Sequence, residues 1–129
     1  MRYLSRTEIV ALHELLIERF GGAAGIRESA ALDSAIGQPL QTFDGEELYP
    51  SVIAKAAALG FFLCSNHPFV DGNKRVAHAS VAVTLLLNGF EIAATIDDQE
   101  TIMLRLASGD MSRAEFKEWL ELHVRERGA

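Results

Sequence analysis

The chain has 129 residues, of which 49% are hydrophobic, so we expect one globular domain over residues 1–129 rather than a disordered chain. Its formal net charge of −6 argues against a nucleic-acid-binding protein, because such proteins are usually basic. The apolar stretches are too short to span a bilayer, and the polar, amphipathic N-terminus does not resemble a signal peptide, so we expect a cytoplasmic protein without a membrane partner.

The first predicted helix opens with a capping box, in which Ser5 and Glu8 satisfy each other's backbone N–H groups. Apolar residues at helical spacing follow, and the glycine pair Gly21-Gly22 ends the helix. His13 lies beside this apolar face, and we interpret it as a packed or surface histidine rather than a ligand.

A turn and a short second helix come next. The helix opens at Glu28 or Ser29 and is stopped by Gly37 and Pro39. Arg27, in the turn, could be a surface charge or could reach a functional loop, and we favour the surface position.

The following stretch, up to Tyr49, lacks helical periodicity. Its turn signal, Asp44-Gly45, predicts a small hairpin or an irregular flap. Pro50 suits the first turn of the next helix. Residues 51–64 are apolar or small on almost every side, which predicts a buried, central helix. The single cysteine, Cys64, excludes an internal disulfide, and we expect its thiol to be buried and unreactive.

A second buried helix is predicted over residues 76–87 and ends at Asn88-Gly89. A short extended piece follows over residues 90–95. Asp97 then caps a further helix, which ends near Gly109.

The last predicted helix opens with another capping box, Ser112 to Glu115, and frays over residues 125–129. No repeat, low-complexity stretch or linker interrupts the chain. The whole pattern predicts an all-α fold of about six or seven helices, with strands that are at most marginal.

The polar stretch between the two buried helices carries the residues suited to chemistry: His67-Pro68-Phe69-Val70-Asp71-Gly72-Asn73-Lys74-Arg75. Its last residues should form the first turn of a helix, whose free N–H groups and positive dipole end bind anions. Gly72 allows close backbone approach, and Asn73 offers a side-chain amide. Lys74 and Arg75 add positive charge for phosphate oxygens.

Two further side chains in this stretch point to group transfer. Asp71 is a hard oxygen ligand, suited to a Mg²⁺ ion that also holds substrate phosphates. His67 can take a proton from a hydroxyl near neutral pH, and Asp71 could help to orient it. Phe69 is expected to point into the core and fix the loop. Together these residues predict a phosphoryl- or nucleotidyl-transfer site.

The stretch also allows other interpretations. His78 lies one helical turn after Lys74, so it could touch a phosphate or sit in the core. A zinc site at His67 and His78 is disfavoured, because no further histidine or cysteine joins them at a suitable spacing. The remaining alternative is a solvated loop whose Asp, Gly and Asn serve only the turn.

The stretch resembles the signature of the Fic/Doc (Fido) superfamily, His-x-Phe-x-Asp/Glu-Gly-Asn, followed by Gly or Lys and then Arg. Lys74, the chain length and three other segments resemble its death-on-curing (Doc) branch; the segments are residues 25–28, 44–50 and 85–90. The resemblance therefore covers nearly the whole chain. It implies a compact helical Fic/Doc-type domain, with a flap before the central helix that helps to align the target.

The resemblance also implies a function. The chain would be a toxin of a type II toxin–antitoxin system that transfers the γ-phosphate of ATP, with Mg²⁺, to a Thr or Ser hydroxyl. Elongation factor Tu is the expected target, and a Phd-like antitoxin would lay a helix into a groove of the toxin. In the implied site His67 and Asp71 are catalytic, Asp71 holds Mg²⁺, and the phosphates and nucleotide are bound by Gly72, Asn73, Lys74, Arg75 and His78.

Two departures from the AMP-transferring Fic pattern favour phosphate transfer. Lys74 stands where those proteins have a glycine that leaves space for the α-phosphate, and His78 stands where they have a second arginine. In the Doc branch the lysine accompanies reversed ATP, with its γ-phosphate beside the histidine. Gly72 retains the AMP-transferring form, so AMP transfer to a hydroxyl stays an alternative, as does a non-catalytic nucleotide- or partner-binding module. The self-inhibiting Fic motif is absent, which fits an external inhibitor.

Overall fold

The computed structural model describes residues 1–128. Over this range the chain forms six α-helices, one short 3₁₀ turn and two pairs of short antiparallel strands, which confirms the predicted all-α class. The helices are α1 (Arg6–Phe20), α2 (Ser29–Gly37), α3 (Val52–Asn66), α4 (Asn73–Leu87), α5 (Ile96–Ser108) and α6 (Arg113–His123). The strands are β1 (Thr42–Phe43), β2 (Glu46–Glu47), β3 (Phe90–Ile92) and β4 (Val124–Glu126).

Helix α3 is the centre of the fold, as predicted from its apolar residues on every side. It packs against α4, α6, α2 and the 3₁₀ turn Gln38–Leu40. A Cβ atom at Gly60 would lie 2.4 Å from Val81 Cγ2 and 3.2 Å from the Phe116 ring. The glycine therefore lets α4 and α6 approach α3 closely, and the buried side chains of these helices form the core.

Both predicted capping boxes are present. Ser5 Oγ accepts from the Glu8 N–H at 3.1 Å, and Ser112 Oγ accepts from the Glu115 N–H at the same distance. In each box the glutamate returns a hydrogen bond to the N–H of the serine. These local signals fixed the starts of α1 and α6.

Two other helix starts differ from the prediction. Ser51 is the N-cap of α3, so Pro50 lies just before the helix rather than in its first turn. Thr95, not Asp97, caps α5, because its hydroxyl accepts from the Asp98 N–H at 3.1 Å. Asp97 lies in the first turn of α5, where a carboxylate still interacts favourably with the helix dipole.

Arg125 and Glu126 do not fray as predicted. Val124–Glu126 forms β4, which pairs antiparallel with β3 and thereby confirms an extended segment after α4. Arg125 also makes an ion pair with Glu91 at 2.9 Å. The pairing joins segments more than thirty residues apart, so the local pattern could not reveal it. Ala129, at the end of the predicted frayed segment, lies outside the described residues.

The predicted hairpin before α3 is confirmed. Strands β1 and β2 pair antiparallel across Asp44-Gly45, and both turn residues have positive φ, 53° and 81°. Positive φ at both positions is typical of a tight two-residue hairpin turn. Within residues 1–128, none of the helices combines the length and the apolar character needed to cross a bilayer.

Candidate active site

His67 forms the bend between α3 and the motif loop, which we define as residues 67–72. It is the C-cap of α3 and has left-handed dihedral angles, φ 46° and ψ 54°. A non-glycine residue in this region is strained and persists only where its surroundings fix it, often at functional sites. The bend ends α3 and directs the chain into the motif loop.

Arg27 holds this bend from the surface: its side chain is exposed, as predicted, and it also reaches the motif loop, which was the alternative. Its Nε donates to the His67 carbonyl oxygen at 2.7 Å, and its Nη2 donates to the Asn66 carbonyl oxygen at 3.1 Å. The last carbonyl groups of a helix have no partner within the helix, and the fork of a guanidinium can satisfy two of them. The side chain remains about half exposed. Its Nε and Nη2 atoms nevertheless both donate to the end of α3.

Backbone hydrogen bonds join the motif loop to the turn before α2. The Val70 N–H donates to the Gly25 carbonyl at 3.0 Å, and the N–H groups of Arg27 and Glu28 both donate to the Pro68 carbonyl. The loop is therefore paired to residues 25–28 almost as a strand would be.

The Asn73 side chain, in the first turn of α4, also fixes the loop through the Phe69 backbone. The Phe69 N–H donates to Asn73 Oδ1 at 2.9 Å, and Asn73 Nδ2 donates to the Phe69 carbonyl at 3.0 Å. Phe69 is buried, as predicted. The Asn73 amide thus shapes the loop, and one Nδ2 hydrogen remains for another acceptor.

The Asp71 carboxylate lies between two backbone donors. Oδ2 accepts from the Ala23 N–H at 3.1 Å, and Oδ1 accepts from the Gly72 N–H at 2.8 Å. These two hydrogen bonds, the Ala23 bond first, hold the pKa of the Asp71 carboxyl below its ordinary value. No hydrogen bond links the Asp71 and His67 side chains in the described part of the chain, so the idea that Asp71 orients His67 stays a prediction.

The Asp71 carboxylate fits a Mg²⁺ ion whose other ligands come from elsewhere. An ionised carboxylate has about four lone-pair sites, and the two backbone donors leave some of them free. Residues 1–128 contain no cluster of three or more histidine, cysteine or acidic side chains that could hold a metal alone. Magnesium often binds through a single carboxylate, water and substrate phosphates, which agrees with this donor set.

Gly72 lies just before α4, so the last residues of the motif form the first turn of this helix, as predicted. It is the N-cap, with φ 74°, and no side chain caps the helix, so the N–H groups of its first turn have no side-chain partner. A Cβ at Gly72 would lie 3.2 Å from Ile17 Cδ1 and 3.5 Å from His13 Nε2. The left-handed φ and the wall formed by α1 both favour glycine here. A first turn without a side-chain cap offers free N–H groups, which is the feature that binds anions at helix starts.

A cavity of about 360 Å³ brings most of the predicted site residues together. Its lining includes His67, Asp71 and the start of α4 from Gly72 to Arg75. Cys64 also lines it, and burial raises the pKa of this thiol to about 12, although the Lys74 ammonium acts in the opposite direction. The cysteine is therefore unsuited to act as a nucleophile at neutral pH.

A second cavity of about 280 Å³ shares Lys74 and Arg75 with the first. His78 lines this second cavity and not the first, and its Nε2 lies 2.8 Å from Gln99 Oε1. The remaining lining residues come from α5: Glu100, Met103 and Leu104. His78 is thus separated from His67 by the pair of basic residues.

Sequence reasoning missed the contribution of α1 to the site. His13 is buried as a packed histidine, but it also stacks on Phe69 and contacts Asp71. Phe20 lies 4.9 Å under the Arg75 guanidinium. His13, Ile17 and Phe20 share one helical face, at spacings of four and three residues. A histidine among the apolar residues of this helical face was the sequence signal that α1 contributes to the site.

Comparisons with known proteins identify a family and relatives of the chain. A family model described as "Fic/DOC family" matches residues 3–85, which include the motif loop. The protein "Toxin Doc" of Mycolicibacterium smegmatis is 37% identical over 110 residues, 84% of this chain and 82% of that protein. "Protein kinase doc" of Escherichia phage P1 is 32% identical over 92 residues, 71% of this chain and 72% of that protein.

Proposed function

The chain belongs to the Fic/Doc family, and on that premise we propose that it is a Doc-like toxin with protein kinase activity. It transfers the γ-phosphate of ATP, with Mg²⁺, to a serine or threonine hydroxyl of a translation protein in the bacterial cytoplasm. One observation carries the proposal: a single cavity is lined by His67, the Asp71 carboxylate and the uncapped start of α4.

In the proposed reaction His67 takes the proton from the target hydroxyl. The hydroxyl oxygen attacks the γ-phosphorus, the bond to the bridging oxygen breaks, and ADP leaves. Lys74, Arg75 and the N–H groups at the start of α4 stabilise the phosphate charge. Asp71 holds Mg²⁺, which supplies further charge neutralisation when bound.

The two cavities favour phosphate transfer over AMP transfer. The basic pair Lys74 and Arg75 lines both cavities, so a phosphate chain bound to this pair would extend from one cavity to the other. The second cavity has the apolar side chains of Met103 and Leu104 beside the polar His78 and Glu100, a lining suited to a nucleoside. With the nucleoside there, the terminal phosphate lies nearest His67. AMP transfer remains the second candidate because Gly72 retains the AMP-transferring form of the motif.

The proposed partners follow from the family resemblance. Elongation factor Tu is the proposed target, and a Phd-like antitoxin is the proposed inhibitor. The chain carries no self-inhibiting Fic motif, so an external inhibitor would be needed to protect the host. A non-catalytic module that only binds nucleotide is the remaining alternative.

The test is intact-mass spectrometry of purified elongation factor Tu after incubation with this protein, ATP and Mg²⁺. We expect a gain of one phosphate with the wild type and none with His67→Ala. His123→Ala is the matched control, because His123 stacks on Trp119 in α6 and does not line the motif cavity. A gain of AMP would replace the kinase by an AMP transferase. No gain, although Mg²⁺-ATP binds, would favour another target or the binding module.

A further inference from the structure

His13 lies directly behind the motif loop. Its side chain is 2% exposed. The imidazole stacks on the Phe69 ring, with centroids 3.8 Å apart and planes inclined by 11°. Its Nε2 lies 2.7 Å from the Asp71 carbonyl oxygen. One buried side chain of α1 therefore meets the loop at two points, an aromatic contact and a hydrogen bond.

The hydrogen bond defines the state of the His13 ring. A carbonyl oxygen can only accept, so Nε2 must carry the hydrogen and donate it. This nitrogen therefore cannot serve as a metal ligand or take a proton from a substrate while the bond is made. His13 acts here through the backbone of Asp71.

The donated hydrogen bond orients the peptide between Asp71 and Gly72. In a planar trans peptide the C=O and the N–H point in opposite directions. With the Asp71 carbonyl directed at His13, the Gly72 N–H is directed away from α1, and there it donates to Asp71 Oδ1 at 2.8 Å. The imidazole thereby fixes one of the two donors that hold the Asp71 carboxylate.

The second donor lies just after the end of α1. Asp71 Oδ2 accepts from the Ala23 N–H at 3.1 Å, and a Cβ at Gly22 would lie only 2.7 Å from Oδ2. Oδ2 is thus placed by residues just after α1, and Oδ1 by the Gly72 N–H, whose peptide His13 orients from α1. A rotation of the Asp71–Gly72 peptide would break one of these bonds and turn the carboxylate relative to the cavity.

We propose that His13 is a positioning residue that sets the divalent-cation affinity of Asp71 by orienting the Asp71–Gly72 peptide. The inference rests on the proposed function, because it concerns the metal that the kinase reaction uses. Groups that orient metal ligands typically change metal affinity by about 10- to 100-fold when they are removed.

Two substitutions separate the hydrogen bond from the packing. His13→Phe keeps a flat ring on Phe69 but removes the donor. His13→Gln removes the ring, whereas its side-chain amide can reach the position of Nε2 and donate. Mn²⁺, which is visible by electron paramagnetic resonance, is titrated into each variant with a non-hydrolysable ATP analogue. Amide exchange of Gly72 and Ala23 is measured by NMR on the protein without ligands, and thermal unfolding checks the fold.

We expect His13→Phe to weaken Mn²⁺ binding about tenfold and to speed exchange at Gly72, with His13→Gln close to wild type in both. If instead His13→Gln binds Mn²⁺ weakly and His13→Phe binds it like the wild type, only the packing of the ring on Phe69 matters. That result would overturn the proposal. Equal affinity in all three proteins would overturn it as well.

The failures of the two proposals are distinguishable. Loss of Mn²⁺ affinity in His13→Phe supports the role of His13 even if elongation factor Tu is never phosphorylated. A wild type that binds no Mn²⁺ with the analogue overturns both the role of His13 and the proposed metal site.

Discussion

The loops at the two ends of α3 differ in how many contacts hold them. At its start, the hairpin of residues 41–48 is exposed along its whole length. The base of the hairpin is held by hydrogen bonds from the buried Lys55 ammonium. It donates to the carbonyl groups of Pro39 and Tyr49 and to the Glu47 carboxylate. At its end, the motif loop is held by many bonds from α1, from the turn before α2 and from Asn73.

The difference shows what each loop requires. A single side chain is enough to fix the base of a hairpin whose register is already set by its tight turn. The motif loop contains a strained residue, His67, and a carboxylate that must face one direction, so its bonds come from several elements. We therefore expect substitutions near the hairpin to change stability, and substitutions around the motif loop to change chemistry more than stability.

Among the residues that hold the two loops, the largest effect is expected from Arg27→Met, which frees the bend at His67. Two carbonyl groups at the end of α3 lose their donors, and His67 is no longer fixed in its left-handed conformation. We expect phosphate transfer to fall about 100-fold, which corresponds to roughly 2.7 kcal/mol of transition-state stabilisation. Arg27→Lys should recover part of the rate, because one ammonium can still reach a carbonyl.

The measurement is the rate of phosphate gain by elongation factor Tu at saturating ATP, alongside thermal unfolding. A folded Arg27→Met protein with the wild-type rate would show that the bend at His67 does not depend on Arg27. Equal losses of rate and stability would show that Arg27 acts only on the fold.

The hairpin is tested by Lys55→Met, for which we expect a loss of about 2 kcal/mol in the free energy of unfolding. The buried carbonyl groups of Pro39 and Tyr49 would lose a charged donor, and the half-exposed Glu47 contributes little. Lys55 and His67 are separated by roughly 18 Å of helix at 1.5 Å per residue, so nucleotide binding should be unchanged.

Lys117→Met is the matched control for Lys55→Met. Lys117 is partly exposed on α6, with 39% of its side chain accessible, and it pairs with Glu121 at 3.9 Å, so its removal should change stability little. Chemical denaturation of both variants and exchange of the Leu48 amide, which donates to Gln41, are the measurements. If both lysines give the same stability, the hairpin does not depend on Lys55.

The same contrast explains what the sequence could predict. Signals that act within a few residues predict structure well: the capping boxes, the hairpin turn at Asp44-Gly45 and the first turn of α4 at the end of the motif. The group of motif residues around one cavity also follows from local spacing, because a loop and the first turn of the next helix are contiguous.

The contacts that hold the motif loop could not be predicted in this way. Arg27 meets His67 across forty positions, and His13 meets Asp71 across fifty-eight. Strand β4 likewise depends on pairing with β3. The sequence around each of these residues gives no sign of its partner. The contacts form only when α1 and α2 pack against α3 and α4.

A smaller effect is expected from Gly22→Ala, which alters the motif loop from the side of α1. The new Cβ would lie 2.7 Å from Asp71 Oδ2, and φ at this position is 113°. Gly21→Ala is the control, because φ there is also positive at 84° but a Cβ meets nothing within 4 Å. We expect both variants to lose about 1 kcal/mol of stability from the backbone. Only Gly22→Ala should also weaken Mn²⁺ binding. This difference would separate the effect of contact with Asp71 from the effect of backbone strain, which both variants share.

The smallest expected effect is on the pH dependence of folding stability. It is tested at Asp71 and at a carboxylate outside the motif loop. The pKa of the Asp71 carboxyl is lowered by its backbone hydrogen bonds, and that of Glu8 is lowered to about 2, chiefly by Arg2. Because the folded-state pKa of each is below the unfolded value, each carboxylate favours folding above that unfolded value. This contribution is lost as the pH falls through the folded-state pKa.

We therefore expect the stability difference between wild type and Asp71→Asn to be constant from pH 8 to pH 5 and to shrink only below about pH 4. Glu8→Gln should behave in the same way, although Glu8 lies in the capping box of α1 rather than in the motif loop. Thermal unfolding across this range is the measurement. A difference for Asp71→Asn that changes between pH 5 and pH 8 would mean that the two backbone donors do not keep the carboxylate ionised. The motif loop would then lack the anionic ligand on which its proposed metal site depends.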